Sequence, residues 1–170
     1  QFLLATDWDI QKIENWTFRF GARGTFARGE LSTYSATDQR LELYQSAKWE
    51  ANERLSLSAN FRQLGYQDQL EPFLPGLGMD FLIWEKDKHQ LLLKASAGKG
   101  LKVPTLNDRF WSPGGNPDLL PEKSKNGEIG LQWTRKGNFS WEQSLTYYRM
   151  QVDNWIIWLP QGSIWSPQNI

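Results

Sequence analysis

Cysteine is absent from this sequence, which excludes a disulfide framework and any thiolate metal site but leaves the compartment open. Histidine is nearly absent. His89 stands alone, and one imidazole makes neither a metal cluster nor a catalytic triad. No sign of charge dominates: with 19 Lys+Arg against 19 Asp+Glu, nothing predicts a nucleic-acid partner. Long apolar runs are missing too. The longest, residues 155–159, holds five side chains, against the ~18 of a spanning helix. Gln1 leads directly into Phe2-Leu3-Leu4-Ala5 with no basic segment or cleavage site, so no signal peptide is expected here. A start at Gln suggests excision from something longer.

What is present is aromatic. Hydrophobic residues make up only 39% of the chain, yet 10 of its 170 residues are tryptophan. Many indoles with few aliphatics suit side chains at a boundary between apolar and wet surroundings. The length is that of one domain.

The dominant period is two, the period of a half-exposed strand. Trp16, Phe18, Phe20, Ala22, Gly24 and Phe26 alternate with Thr17, Arg19, Gly21, Arg23, Thr25 and Ala27. The same alternation recurs at Leu55 to Phe61, Ile129 to Trp133 and Phe139 to Tyr147, and less cleanly over residues 40–50 and 89–98. A short piece near 80–84 completes seven expected strands, and no segment sustains a helical period. Arg19, Arg23, Arg62, Lys94, Glu128 and Glu142 fall on the polar side.

The connections are expected to alternate. Ala51-Asn52-Glu53-Arg54, Glu85-Lys86-Asp87-Lys88 and Lys136-Gly137-Asn138 have hairpin length. The links at about 28–39, 65–79 and 99–126 are long and hold most of the proline. One end of the sheet then has tight turns and the other large loops, an asymmetry of transmembrane β-barrels. Trp49, Trp84, Trp133 and Trp141 lie close to the short turns, and Trp8 and Trp16 flank a further turn near 10–15. Such clustering fits an interfacial aromatic girdle.

Residues 97–131 carry a more specific signal. Gly100-Leu101-Lys102-Val103-Pro104-Thr105-Leu106-Asn107-Asp108 is followed by Asn116-Pro117-Asp118-Leu119-Leu120-Pro121-Glu122 and then Glu128-Ile129-Gly130. Residues before proline are pushed out of the helical region, which makes 116–122 a rigid extended lead into a strand. This stretch resembles the barrel of TonB-dependent outer-membrane receptors, with Asp108 where that family more often has Glu. Tyr147-Tyr148-Arg149, Val152 to Ile156 and Ser166-Pro167-Gln168-Asn169 resemble its following strands.

The resemblance implies an all-β antiparallel up-and-down meander, residues 1–170 being part of a barrel of about 22 strands. The plug domain and remaining strands would lie outside this sequence. It implies residence in bacterial outer-membrane lipid, energy coupling through the TonB complex and the plug, and uptake of a ferric siderophore, haem or cobalamin. No cofactor is implied. Pro104, Leu106, Asn107, Asn116, Pro117, Leu119, Pro121 and Glu122 are expected to be mainly structural.

For ligand contact the loop-end aromatics Tyr34, Tyr66, Phe110, Trp111, Trp158 and Trp165 are the candidates, by stacking, with Arg109 for an anionic group. Residues 155–158 are expected to continue strand seven. Gly98-Lys99-Gly100 lacks the third glycine and following helix of a phosphate loop. No nucleophile, base and orienter assemble, so no enzyme is expected. A soluble, aromatic-rich β-sandwich binding glycans is the competing reading. It differs in what the apolar faces meet: each other, and not lipid.

Overall fold

The computed structural model describes residues 1–66 and 69–170. Strands β1 (Phe2–Ile13), β2 (Trp16–Glu30), β3 (Ser35–Asn52), β4 (Leu55–Tyr66), β5 (Gln69–Leu70), β6 (Leu74–Lys86), β7 (His89–Lys102), β8 (Glu122–Arg135) and β9 (Trp141–Asp153) form one antiparallel sheet. The order β1-β2-β3-β4-β6-β7-β8-β9 is an up-and-down meander, with β5 folded back on the end of β4. A helix, α1 (Leu106–Phe110), sits between β7 and β8. A separate hairpin of β10 (Ile156–Gln161) and β11 (Ile164–Asn169) follows β9.

Three expectations need correction. The strand count exceeds seven, because β1, β5 and the β10–β11 hairpin add to it. Residues 155–158 do not prolong β9: Asn154 takes φ 59, the chain turns there, and the buried Ile156 opens a new strand. The long links are also shorter than expected. The link between β2 and β3 is only residues 31–34, so short and long connections do not alternate strictly. Small residues such as Ala27, Gly29 and Ala36 blur the alternation there, but the backbone ladder needs no apolar side chain and runs on to Glu30↔Ser35. The link from β7 to β8, residues 103–121, stays long.

Register assigns the faces, because direct cross-strand partners point the same way. One row runs Trp16, Trp49, Leu57, Met79, Ala95, Ile129, Tyr147 across seven strands. The opposite face carries rows such as Arg19, Ser46, Asn60, Gly76, Gly98, Asn126. Arg19, Arg23, Arg62, Lys94, Glu128 and Glu142 all fall on that polar face. There Arg19 pairs with Asp9 at 2.6 Å and the Ser96 hydroxyl donates to Glu128 at 3.0 Å. Tyr44 lies across the backbone of its partner Gly21, where a Cβ would collide with its ring, and donates its hydroxyl to Asp7.

Among the described residues no second layer packs on the apolar face; Phe73, from the β5–β6 link, stacks on Phe61 at its edge. Phe2, Leu4, Leu41, Leu43, Leu77, Ile129, Leu131, Leu145 and Tyr147 are all exposed. Accessible surface is 11960 Å², against about 8,600 Å² for a compact monomer of this mass. Among the described residues the buried apolar side chains, Leu64, Tyr66, Leu74, Val103, Leu119 and Ile156 with Pro104 and Pro167, gather at the loop end. A sandwich would bury its core between two sheets, so the competing reading fails on this geometry. Trp8, Trp16, Trp49, Trp84, Trp133 and Trp141 share the apolar face near the tight turns. Trp16 stacks on Trp49 at 5.6 Å, and Trp133 meets Trp141 edge-on at 4.7 Å. His89 lies between Trp84 and Trp133, a packing role.

Candidate ligand-facing site at the loop end

The long β7–β8 link folds back over the polar-face side of the sheet end. Pro104 forces Val103 into extended backbone, and both are buried. Thr105 then caps α1 in a reciprocal box: its hydroxyl accepts from the Asp108 amide at 3.1 Å while the Asp108 carboxylate accepts from the Thr105 amide at 2.9 Å. The Asp at this position is therefore the third helical residue of the box, where Glu would serve equally.

α1 carries most of the candidates. Tyr34, in the β2–β3 link, donates to the Asn107 side chain at 2.6 Å, and its ring tilts against Phe110 at 6.3 Å. Leu106 packs over Gly29, where a Cβ would lie 3.3 Å from its methyl. Arg109 donates to the Pro117 carbonyl at 3.2 and 3.3 Å and to the Tyr66 hydroxyl at 3.3 Å, and its guanidinium sits over the Phe110 ring. Trp158, on β10, donates its indole N–H to Asp108 at 3.0 Å. Burial alone would raise the Asp108 pKa. The Thr105 hydroxyl, the Thr105 amide and the Trp158 indole outweigh it and hold the carboxyl below its ordinary value.

The proline-rich segment is bound to the β10–β11 hairpin. Asn116 donates to the Pro167 carbonyl at 3.2 Å and accepts from the Asp118 amide at 3.0 Å. Leu119 is buried, and the Leu120 amide donates to Asn169 at 2.8 Å. Beyond Pro121, Glu122 is 8% exposed and accepts at one oxygen from the Ile156 amide at 3.0 Å and from Lys102 at 2.9 Å. Gly114, at φ +125, lies against the Trp165 carbonyl, where a Cβ would collide.

The structure thus brings Tyr34, Tyr66, Arg109, Phe110 and Trp158 together, each engaged with another part of the cluster. Trp111 and Trp165 differ: they are 42% and 58% exposed, and their rings are in none of these contacts. Sequence reasoning missed the Asp38–Arg40 pair beneath Tyr66, linked at 2.5 Å with Asp38 buried and Arg40 over the Tyr66 ring. The two-residue spacing, which puts both on one face, was the available signal. It also missed Asn154, whose carbonyl accepts from Asn169 at 2.7 Å. Among the described residues no His, Asp and Glu group could hold a metal ion.

Comparisons with known proteins agree with this geometry. Residues 2–170 match the sequence model of the family described as "TonB dependent receptor-like, beta-barrel". The vitamin B12 transporter BtuB of Photobacterium profundum is 41% identical over 86 residues, which is 48% of this chain and 14% of that protein. The vitamin B12 transporter BtuB of Vibrio vulnificus (strain CMCP6) is 27% identical over 168 residues, 96% of this chain and 24% of that protein. Among solved structures, the siderophore receptor PirA of Pseudomonas aeruginosa superposes with a TM-score of 0.82 at 20% identity, over 98% of this chain and 33% of that one. The chain therefore spans about a quarter or less of these curated relatives. It belongs to the TonB-dependent receptor β-barrel family, whose members reside in the outer membrane.

Proposed function

We propose that this chain is one part of the barrel wall of an outer-membrane receptor that takes up a scarce nutrient, with cobalamin the first candidate and ferric siderophores and haem behind it. The observation that carries it is the one-sided sheet: exposed apolar side chains line one face with no second layer on them among the described residues, while charges line the other face. Lipid on one side and a wet lumen on the other is the environment such a sheet requires. The matches to two vitamin B12 transporters support cobalamin. The likeness to PirA, at 20% identity, supports the fold alone.

In this reading the plug, the TonB contact and the remaining strands belong to parts of the receptor outside residues 1–170. The role is non-enzymatic. Trp111 and Trp165 are the ligand-contacting aromatics, held in place by Tyr34, Tyr66, Arg109, Phe110 and Trp158. Pro104, Leu106, Asn107, Asn116, Pro117, Leu119, Pro121 and Glu122 shape the loop.

The test is binding of cyanocobalamin to the detergent-solubilised full-length protein, with ferric siderophores and haem as parallel ligands. Saturable cobalamin binding is expected, weakened about fivefold by Trp111→Ala or Trp165→Ala, the scale of one lost aromatic contact. Saturable siderophore or haem binding without cobalamin binding would move the assignment to that ligand. Binding of none would overturn the receptor reading.

A further inference from the structure

The loop that carries Trp111 is drawn together at its neck. The Asn116 amide donates to the Asp108 carbonyl at 2.8 Å, and the Arg109 side chain donates twice to the Pro117 carbonyl, at 3.2 and 3.3 Å. From the same neck the Asn116 side chain donates to the carbonyl of Pro167, on the β11 strand that carries Trp165, at 3.2 Å. The placement of both exposed tryptophans therefore depends on where the Arg109 guanidinium is held.

Among the described residues Arg109 has no carboxylate partner. Its hydrogen bond outside the neck goes to the Tyr66 hydroxyl, at 3.3 Å. Tyr66 closes β4 and is the direct cross-strand partner of Arg40, whose guanidinium lies 5.6 Å from the ring centroid. A cation over an aromatic face is attracted to it, more strongly where water is excluded. Tyr66 is buried, so its ring is held between two guanidiniums, Arg40 at the face and Arg109 at the hydroxyl.

Asp38 supplies the one carboxylate bonded to either cation. It stands two residues before Arg40 on β3, hence on the same face, and accepts from Arg40 at 2.5 Å. Asp38 is 8% exposed, and neither its other oxygen nor the Arg40 Nε has a partner among the described residues. A buried pair so incompletely bonded adds little to stability, because desolvation offsets the attraction and apolar side chains would serve as well. Losing one member is another matter, since it leaves an uncompensated charge. Without the Asp38 charge, two cations would flank one buried phenol with no anion bonded to them. Arg40 is fixed on the sheet; Arg109, on the link, is the one that can leave.

We propose that Asp38 is a positioning residue for the ligand loop: it fixes Arg40 over Tyr66 and offsets the second guanidinium, so that Arg109 stays on the Pro117 carbonyl and Trp111 and Trp165 stay in place. The inference rests on the reading of these tryptophans as ligand contacts. The order of action runs from the wall of the sheet, through Tyr66, to the loop.

The test uses the full-length protein in mild detergent, with amide exchange over residues 111–118 and equilibrium binding of cyanocobalamin as separate readouts. Asp38→Asn keeps the side-chain shape and removes the charge. It is expected to speed that exchange and weaken binding about tenfold each, the scale of one lost hydrogen bond to a charged group, with heat-dependent gel mobility unchanged. Arg109→Gln should act alike, and Asp38→Asn/Arg109→Gln should be no worse than Arg109→Gln alone, because both losses take one route. Lys94→Gln, elsewhere on the polar face, should change neither readout. Parental exchange in Asp38→Asn, or additive losses in the double variant, overturns the proposal. If the parent binds no cyanocobalamin, the cobalamin reading falls and exchange alone decides the role of Asp38. If Asp38→Asn does not fold, Tyr66→Phe decides: exchange about threefold faster, the scale of one neutral hydrogen bond, supports the route, and unchanged exchange overturns it.

Discussion

The indole N–H of Trp158 donates to the carboxylate of Asp108 at 3.0 Å, and this bond ties the β10–β11 hairpin to α1. Asp108 lies in the link that carries Trp111, so the contact fixes that link against the hairpin. Replacing Trp158 by Phe keeps an aromatic side chain, though a smaller one, and removes the donor. The expected cost is about 1–2 kcal/mol, local to the hairpin. Amide exchange over residues 156–169 should accelerate about tenfold or more while exchange in β7 and β8 is unchanged.

The same contact predicts a pH dependence. The Asp108 carboxyl is held below its ordinary value of 3.8, since hydrogen bonds from Thr105 and Trp158 outweigh its burial. A carboxyl with a lowered folded pKa stabilises fully above the unfolded value and loses that contribution as pH falls through the folded one. The loop should hold from neutrality down to about pH 4 and loosen below it. Tryptophan fluorescence of the folded protein, titrated toward acid, should shift in that range, and Asp108→Asn should abolish the shift.

Glu122 is the second tie. Its carboxylate, 8% exposed, serves both the buried Ile156 amide and Lys102. Glu122→Ala leaves that amide without an acceptor and should cost about 2–3 kcal/mol. Glu122→Gln retains an acceptor oxygen and should cost roughly half as much. Protease cleavage within residues 156–169 ranks the two: equal cleavage of both variants would remove the hydrogen bond as the cause.

Face assignment is testable with one pair of substitutions. Leu131 is exposed on the apolar face and its neighbour Gln132 lies on the polar one. Leu131→Lys should destabilise the folded barrel in lipid by about 2–4 kcal/mol, whereas Gln132→Lys should cost little. Urea unfolding in vesicles, followed by heat-dependent gel mobility, measures both.

Packing across the polar face gives a further test. The Tyr44 ring covers Gly21, and its hydroxyl reaches Asp7. Gly21→Ala should push the ring aside and break that bond, costing roughly 1–3 kcal/mol by overpacking. Combining it with Tyr44→Ala should recover most of the loss in the same unfolding assay.

Period-two alternation alone placed the centres of seven strands, and with them the apolar and polar faces. Trp16 to Phe26 reads as one outward face because each second side chain must turn the same way. The motif from Val103 to Glu122 was equally plain, since prolines restrict the residues before them whatever lies around. Strand ends were not legible, because residues such as Ala27, Gly29 and Ala36 suit ladder or loop alike and hydrogen bonds to the neighbouring strand decide. Residues 155–159, a continuous apolar run, have no period; Asn154 at φ 59, the Glu122 carboxylate and the bonds from Asn154 and Trp155 to Asn169 and Ile170 start a new hairpin there. The tertiary structure likewise decided which loop-end aromatics are engaged and which are exposed. It also set Lys99 opposite Lys125, 26 positions apart in the chain, a distance that local pattern cannot span and strand register can.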